Sequence, residues 1–375
     1  MGEPACRACH GQSGQLVLDL GEQPACDYFP PCDDQGPDPV YPLQMWLCSS
    51  CGLVQLVADA TMPEEPKGTE PAALVVQATD AVERVASAGL LPDGARVAEY
   101  GSPHGGSWLG LLAERGLRPV HDGQSADVIL DCFGMMHCAD QSAALAERTA
   151  RVSPGGVLLL QYHSLDTIIR CAQWNALRHG HYAYYSTTAL AAMLAANGFS
   201  ARAAWQFELY GGTVLLAARR GTGAGAEPDG PVRSLLEEDA RVGVRDAGAL
   251  KGLQDQAQSQ AVRLHDWLVS ERSAGRTVLG YGAASRTVAF LRLARVGRSL
   301  LPAVVDTSPG KQGLRMPGTD IPVADPSQLT THPPAAVLLF VTDLLKEARA
   351  AFPEVEAAGG RWVTGEMLGF QPAGG

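Results

Sequence analysis

Two closely spaced cysteine pairs, Cys6-x-x-Cys9 and Cys48-x-x-Cys51, constrain the start of this chain more than any other feature. Four thiolates delivered in two bites suit the tetrahedral shell of Zn2+, at Zn–S distances of about 2.3 Å. Gly52, directly after the second pair, leaves the backbone room to turn toward the metal. A catalytic zinc keeps one position open for water, whereas here protein fills all four, so the site is predicted to be structural. Neither pair opens a helix after a strand, which argues against a redox dithiol. Residues 1–58, with Asp33, Asp34, Pro37 and Pro39 between the pairs, are therefore expected to form a small metal-nucleated module.

The remaining length supports more than one core. A chain of 375 residues that is 46% hydrophobic is expected to divide into two or three domains. Its formal charge of −11, with no Lys/Arg run, excludes a phosphate-backbone partner such as DNA or RNA but leaves nucleotide-sized ligands open. The first residues lack a basic, apolar leader, and no apolar run reaches the length of a membrane span, so cytoplasmic residence is expected. In that compartment the remaining cysteines, Cys26, Cys32, Cys132, Cys138 and Cys171, are expected to pack as thiols rather than pair.

Alternating strand and helix patterns fill the rest of the chain. A helix is predicted over Leu74–Leu91, a strand over Ala95–Tyr100 running into a Gly-rich turn, and a helix over Trp108–Arg115. Strands follow at Asp127–Leu130, Gly156–Gln161 and Thr213–Ala218. The Gly/Ala/Pro-rich stretch 219–231 reads as a linker, and Val232–Ser273 as a long helical region. A second set begins with the strand Thr277–Gly282, then helix Ala284–Ala294 and strands at Leu301–Asp306 and Ala335–Val341. The predicted fold class is α/β: an N-terminal zinc module over 1–58, a doubly wound, mainly parallel domain over 59–222, and a helical connection with a second such domain over 223–375.

The chain resembles the C-methyltransferases that act on TDP-linked 4-keto-deoxyhexoses in antibiotic sugar pathways. The resemblance rests on Cys48 to Leu56, the Leu20-Gly21-Glu22-Gln23-Pro24 loop, Glu99-Tyr100-Gly101-Ser102, His181 with Tyr185-Ser186, Gly211-Gly212, Gly280-Tyr281-Gly282-Ala283, and Asp306 through Lys311-Gln312-Gly313 to Pro317-Gly318. It implies a zinc module, a methyltransferase-like domain that binds S-adenosylmethionine, and a Rossmann-like C-terminal domain, with a nucleotide-linked sugar held between the parts. Glu99, Gly101, Ser102 and Gly105 would then serve the methionine end of the cofactor and Asp122 its ribose. Two departures stand out. The family's Asn-Asp pair after Ser102 is Pro103-His104 here, and Asp127 follows so soon after Asp122 that a strand and a helix of the adenosine half are predicted to be missing.

Methylation beside a ketone needs a base for the α-proton and a group that stabilises the enolate oxygen. The resemblance puts His181 in the first role, with Arg178 and His179 where the relatives carry a Tyr-x-Glu-His cluster. Arg178 suits an anion, either pyrophosphate or enolate. Tyr185 and Tyr210 are candidate replacement hydroxyls, since Thr61–Ala72 holds none of the aromatics the relatives have there. Gly211, Gly212, Tyr281, Arg286 and Lys311 are predicted to serve the sugar nucleotide; the turn Gly280–Arg286 aims backbone N–H groups at an anion. His137 and His163 are further histidines predicted near carboxyl edges of strands. Methyl-free enolate chemistry on the same substrate class, or a non-catalytic role beside a partner enzyme, stays open at this stage.

Overall fold

The computed structural model describes residues 4–34, 36–58, 60–61, 71–101, 106–121, 123–221 and 228–370. The predicted Ser102, Gly105 and Asp122 lie outside the described residues. Three sheets organise the chain.

The first sheet is antiparallel and belongs to the N-terminal module. Strands β1 (Gly14–Pro24), β2 (Val40–Cys48) and β3 (Val54–Leu56) pair in sequence order. The sequence pattern shows little helical periodicity here but does not reveal this long hairpin. The two cysteine pairs close as matching knuckles. In one, the Cys6 N–H donates to Gly11 O at 2.8 Å and the His10 N–H to Cys6 O at 2.9 Å; in the other, the Cys48 N–H donates to Leu53 O at 2.9 Å and the Gly52 N–H to Cys48 O at 3.0 Å. Gly52 sits at φ +78°, as its place after the pair predicts, and His10 takes the same left-handed position at φ +59°. A side chain there costs about 1 kcal/mol that glycine avoids.

The central domain opens with α1 (Ala72–Ser87), β4 (Arg96–Tyr100), α2 (Leu109–Glu114), β5 (Arg118–Pro119) and β6 (Ala126–Cys132). It continues with α3 (Gln141–Arg151), β7 (Val152–His163), α4 (Leu165–Arg170), β8 (Ala183–Tyr184), α5 (Thr187–Ala196), β9 (Phe199–Phe207) and β10 (Thr213–Arg220). Its sheet has the order β5-β4-β6-β7-β10-β9. The first four strands run parallel, and β10 runs antiparallel to both β7 and β9. Side chains alternate between two cores, as strand pleating requires. Val128 and Leu130 pack with Val82 and Leu112 of α1 and α2, while Ile129 packs on the opposite face with Leu145 and Leu190 of α3 and α5.

Strand β8 leaves this sheet and pairs with β3, so the central domain supplies the fourth strand of the zinc module. At the other edge β5 is only two residues long. Pairing ends when the Val120 N–H donates to Val97 O at 2.9 Å, and β6 is the next strand in the chain. Among the described residues, no strand or helix is inserted between them.

The predicted helical region is two helices, α6 (Gly230–Val242) and α7 (Ala247–Ser273), separated where Gly243 turns left-handed at φ +78°. Helix α7 buries Leu250, Leu253, Ala257, Leu264 and Leu268 in the same core as Val17, Leu43 and Met45 of the zinc module. The C-terminal domain holds β11 (Val278–Tyr281), α8 (Ser285–Leu293), β12 (Val304–Val305), β13 (Val323–Ala324), β14 (Ala336–Leu339) and β15 (Arg361–Val363), an all-parallel sheet of order β13-β12-β11-β14-β15. No helix among the described residues is long and apolar enough to cross a membrane.

Candidate active site and metal centre

In the N-terminal module the sulfurs of Cys6, Cys9, Cys48 and Cys51 all lie within 4.8 Å of one another, with Cys6–Cys51 at 3.5 Å and Cys9–Cys48 at 3.6 Å. A tetrahedron with Zn–S bonds of about 2.3 Å has edges of about 3.8 Å, so the four sulfurs are clustered on the scale of a zinc shell and close on the ion with small shifts. The second knuckle leads directly into β3, and β3 carries β8, so a metal held by the four cysteines would anchor one wall of the central cavity.

That cavity, about 300 Å3, lies where the carboxyl ends of β6 and β7 face the β11–α8 turn of the C-terminal domain. Parallel sheets form sites at this edge because strand-to-helix turns leave it lined by loops and helix N-termini. Of the residues predicted from sequence, Arg178, His181, Tyr185, Tyr210, Tyr281, Arg286 and Lys311 line it, joined by His137 and His163.

The loop ahead of β8 turns at Gly180, φ +79°, and is tied to the 135–137 turn by the Tyr182 N–H donating to Met136 O at 2.8 Å. Its Arg178 Nε donates to Nε2 of His181 at 2.8 Å. His137 stands edge-on to His181, ring centroids 4.6 Å apart, and donates from Nδ1 to the Gly180 carbonyl at 2.9 Å. His179 points elsewhere: it is 1% exposed, packs on Tyr41 and faces the Pro42 carbonyl, and it does not line the cavity. Tyr185 donates its hydroxyl to Gln141 Oε1, and burial pushes the phenol well above its usual range. It is a fixed wall rather than a titrating group.

Tyr210 is in the left-handed region at φ +56°, a conformation that costs a tyrosine of order 1 kcal/mol or more. Its N–H donates to Asp343 Oδ2 at 2.9 Å, across from the C-terminal domain, and its carbonyl accepts from Gln173 Nε2 at 3.2 Å. Gly211 and Gly212 do not line the cavity but make this turn possible. A Cβ on Gly211, at φ +78°, would collide with Gln173 Nε2, and one on Gly212 would collide with the Thr167 side chain. The Tyr210 ring packs edge-on to Phe133 and lies 5.5 Å from the Arg286 guanidinium.

Arg286, in the first turn of α8, makes no ion pair among the described residues; burial and then the nearby Arg178 press its pKa down. Lys311 donates to the Ala283 carbonyl at 2.9 Å and lies over the Phe29 ring. Asp306 holds the β11–α8 turn through the Ala283 N–H at 2.7 Å. Tyr281 is packed between Phe352 and Trp362, its phenol pushed up to about 12 by burial and then by Glu347 and Asp306.

At the β4 end, both Glu99 oxygens are engaged, by Ser107 Oγ at 2.5 Å and the Trp108 N–H at 2.7 Å, so this carboxylate fastens the turn into α2. Gly101 is exposed beside it. A Cβ on Gly134 would stand 2.9 Å from Gly101 O, so the turns after β4 and β6 touch, and the cavity opens next to them at Gly106, Cys132 and Phe133. Several supporting residues carry no sequence signal. Asp131 accepts from the Gly134 and Met135 N–H groups and pairs with Arg148 at 2.6 Å in the interior, and Asp343 and Gln173 reach Tyr210 from distant parts of the chain.

Family comparisons divide the chain in the same way. Residues 6–64 match a zinc binding domain, 75–204 a methyltransferase domain and 208–365 a C-methyltransferase C-terminal domain. The C-methyltransferase NovU of Streptomyces niveus is 23% identical over 96% of this chain and 94% of its own length. Among solved structures, the magnesium protoporphyrin IX methyltransferase of Synechocystis PCC 6803 aligns with 40% of this chain and 84% of its own, at 11% identity and a TM-score of 0.30. CalS10, an amino pentose methyltransferase from Micromonospora echinaspora, aligns with 38% of this chain and 90% of its own, at 17% identity and a TM-score of 0.25. The paired cysteine knuckles, the central sheet and the C-terminal domain are thus matched in order by zinc binding, methyltransferase and C-methyltransferase C-terminal domain models.

Proposed function

We propose that this protein is an S-adenosylmethionine-dependent C-methyltransferase whose substrate is a TDP-linked 4-keto-deoxysugar of natural-product sugar biosynthesis. The observation that carries the reading is a continuous cavity that reaches from Gly106 and Phe133, at the cofactor end of the central sheet, to Arg178 and Arg286, two guanidiniums without a carboxylate bond among the described residues. Arginines held this way in a partly buried cavity suit a diphosphate. S-adenosylmethionine would lie against Gly101, Gly106 and Phe133 and would supply the electrophilic methyl group. His181 and His163 are the imidazoles available to take the α-proton.

The test is to incubate the zinc-loaded protein with S-adenosylmethionine and a TDP-4-keto-6-deoxyhexose and to weigh the sugar product, which should gain one CH2. Calorimetry with TDP and with S-adenosylhomocysteine, each alone, checks the two halves; binding of TDP without S-adenosylhomocysteine would sink methyl transfer.

The short edge strand β5 favours a second reading, in which the same cavity enolises the keto-sugar without a methyl donor. That reading expects deuterium from solvent at the α-carbon and no mass gain from the methyl donor.

A further inference from the structure

His163 ends β7 at the cavity edge, opposite Thr213 of β10. Its Nε2 is buried and has no hydrogen-bond partner among the described residues, an arrangement that an apolar side chain would satisfy at less cost. The ring leans on Tyr210, centroids 6.5 Å apart. The charged and titratable groups around it come from several elements: Arg286 from α8, Arg178 from the loop ahead of β8, Tyr210 from the turn ahead of β10, and Asp343 beyond Tyr210. Gln173 is its neutral polar neighbour. Two cations and one distant carboxylate leave the imidazole in a positive field.

Resting on the reading above of an anionic substrate, we propose that His163 is a second proton acceptor of this cavity, one that becomes a stronger base when an anion takes Arg178 and Arg286. Burial first, then Arg286 and last Arg178 drive its pKa down to about 3 against an upward pull from the Gln173 side chain, so the ring is neutral and a poor base in the empty protein. An anion bridging the guanidiniums cancels their share of that penalty, because opposite charges in a low-dielectric cavity neutralise each other's field on a third group. The proton step is then balanced: the C–H bond beside the ketone breaks, an imidazole N–H bond forms, the electron pair moves to the enolate, and the imidazolium returns its proton to solvent when product leaves. Substrate binding and proton removal are thereby coupled, and solvent access to a standing base is avoided.

The experiment is a 15N-histidine NMR pH titration of the full-length, zinc-loaded protein, with the His163 signals identified by their loss in His163→Gln. Three samples are compared: the free protein, the protein saturated with pyrophosphate or TDP, and Arg286→Gln without ligand. The expected result is a His163 titration that moves up by about one unit or more both with the anion and in Arg286→Gln. A His163 pKa unchanged in Arg286→Gln overturns the proposal without touching the sugar reading, since that arm needs no ligand. Movement in Arg286→Gln with no binding of pyrophosphate or TDP keeps the field effect but sinks the anionic-substrate reading and the switch built on it. With keto-sugar substrate, His163→Gln is expected to lower the rate of α-deuterium exchange at least about tenfold while leaving TDP affinity within about twofold; an unchanged exchange rate overturns the acceptor role.

Discussion

Arg178 donates to Nε2 of His181 at 2.8 Å, and the direction of that bond sets the state of the imidazole. A guanidinium only donates, so Nε2 accepts and its lone pair is occupied. A substrate anion that draws Arg178 away also releases the Nε2 lone pair. Replacing Arg178 by Ala is therefore expected to weaken TDP binding roughly ten- to a hundredfold, the worth of a charge-assisted hydrogen bond. Arg178→Lys is expected to recover only part of it, because an ammonium lacks the planar fork. Calorimetry with TDP checks both variants.

The zinc site should behave as a structural element. Atomic absorption is expected to give one zinc per chain, and Cys48→Ser or exhaustive chelation is expected to lower stability by several kcal/mol. Because β3 pairs with β8, the loss should extend to the cavity wall and abolish TDP binding. Retention of the native thermal transition after zinc removal would contradict this.

Gly212→Ala is predicted to cost about 2–3 kcal/mol, since its Cβ would overlap the Thr167 side chain. The effect should appear as a lowered urea midpoint with an unchanged slope, together with loss of the Tyr210 turn. A neutral outcome would mean that α4 yields easily at Thr167.

Asp239 supplies a pH signature unrelated to catalysis. It is 1% exposed, accepts from the Thr188 N–H at 2.7 Å and its hydroxyl at 2.8 Å, and is pushed up to about 6, chiefly by burial. The folded state then binds this proton more tightly than the unfolded chain, so stability is greater below the unfolded pKa and falls as pH rises from about 4 to about 6. The expected loss is up to about 3 kcal/mol. Asp239→Asn keeps an acceptor for Thr188 and should flatten urea stability over that window.

The sequence by itself determined the local chemistry of this protein. Cysteine spacing specified the four zinc ligands, because a CxxC knuckle brings its own two sulfurs together whatever the rest of the chain does. Gly52 at φ +78° shows how far such local reasoning reaches, and His10 at φ +59° shows a position it passes over. Strand and helix periodicity located β4, β6, β7, β10, β11 and α8 to within a few residues, since burial on one or two faces writes itself into the pattern. The early arrival of Asp127 likewise announces the sheet that ends at β5. Only the tertiary structure decided which histidines face the cavity. Arg178, His179 and His181 are neighbours in sequence, yet His179 turns to Pro42 while the other two line the cavity, because the turn at Gly180 and the β3–β8 pairing set their directions. The conformation of Tyr210 and the field on His163 depend on Asp343, Gln173 and Arg286, which reach them from distant parts of the chain. Electrostatics and packing act through space, and that distance is invisible along the chain.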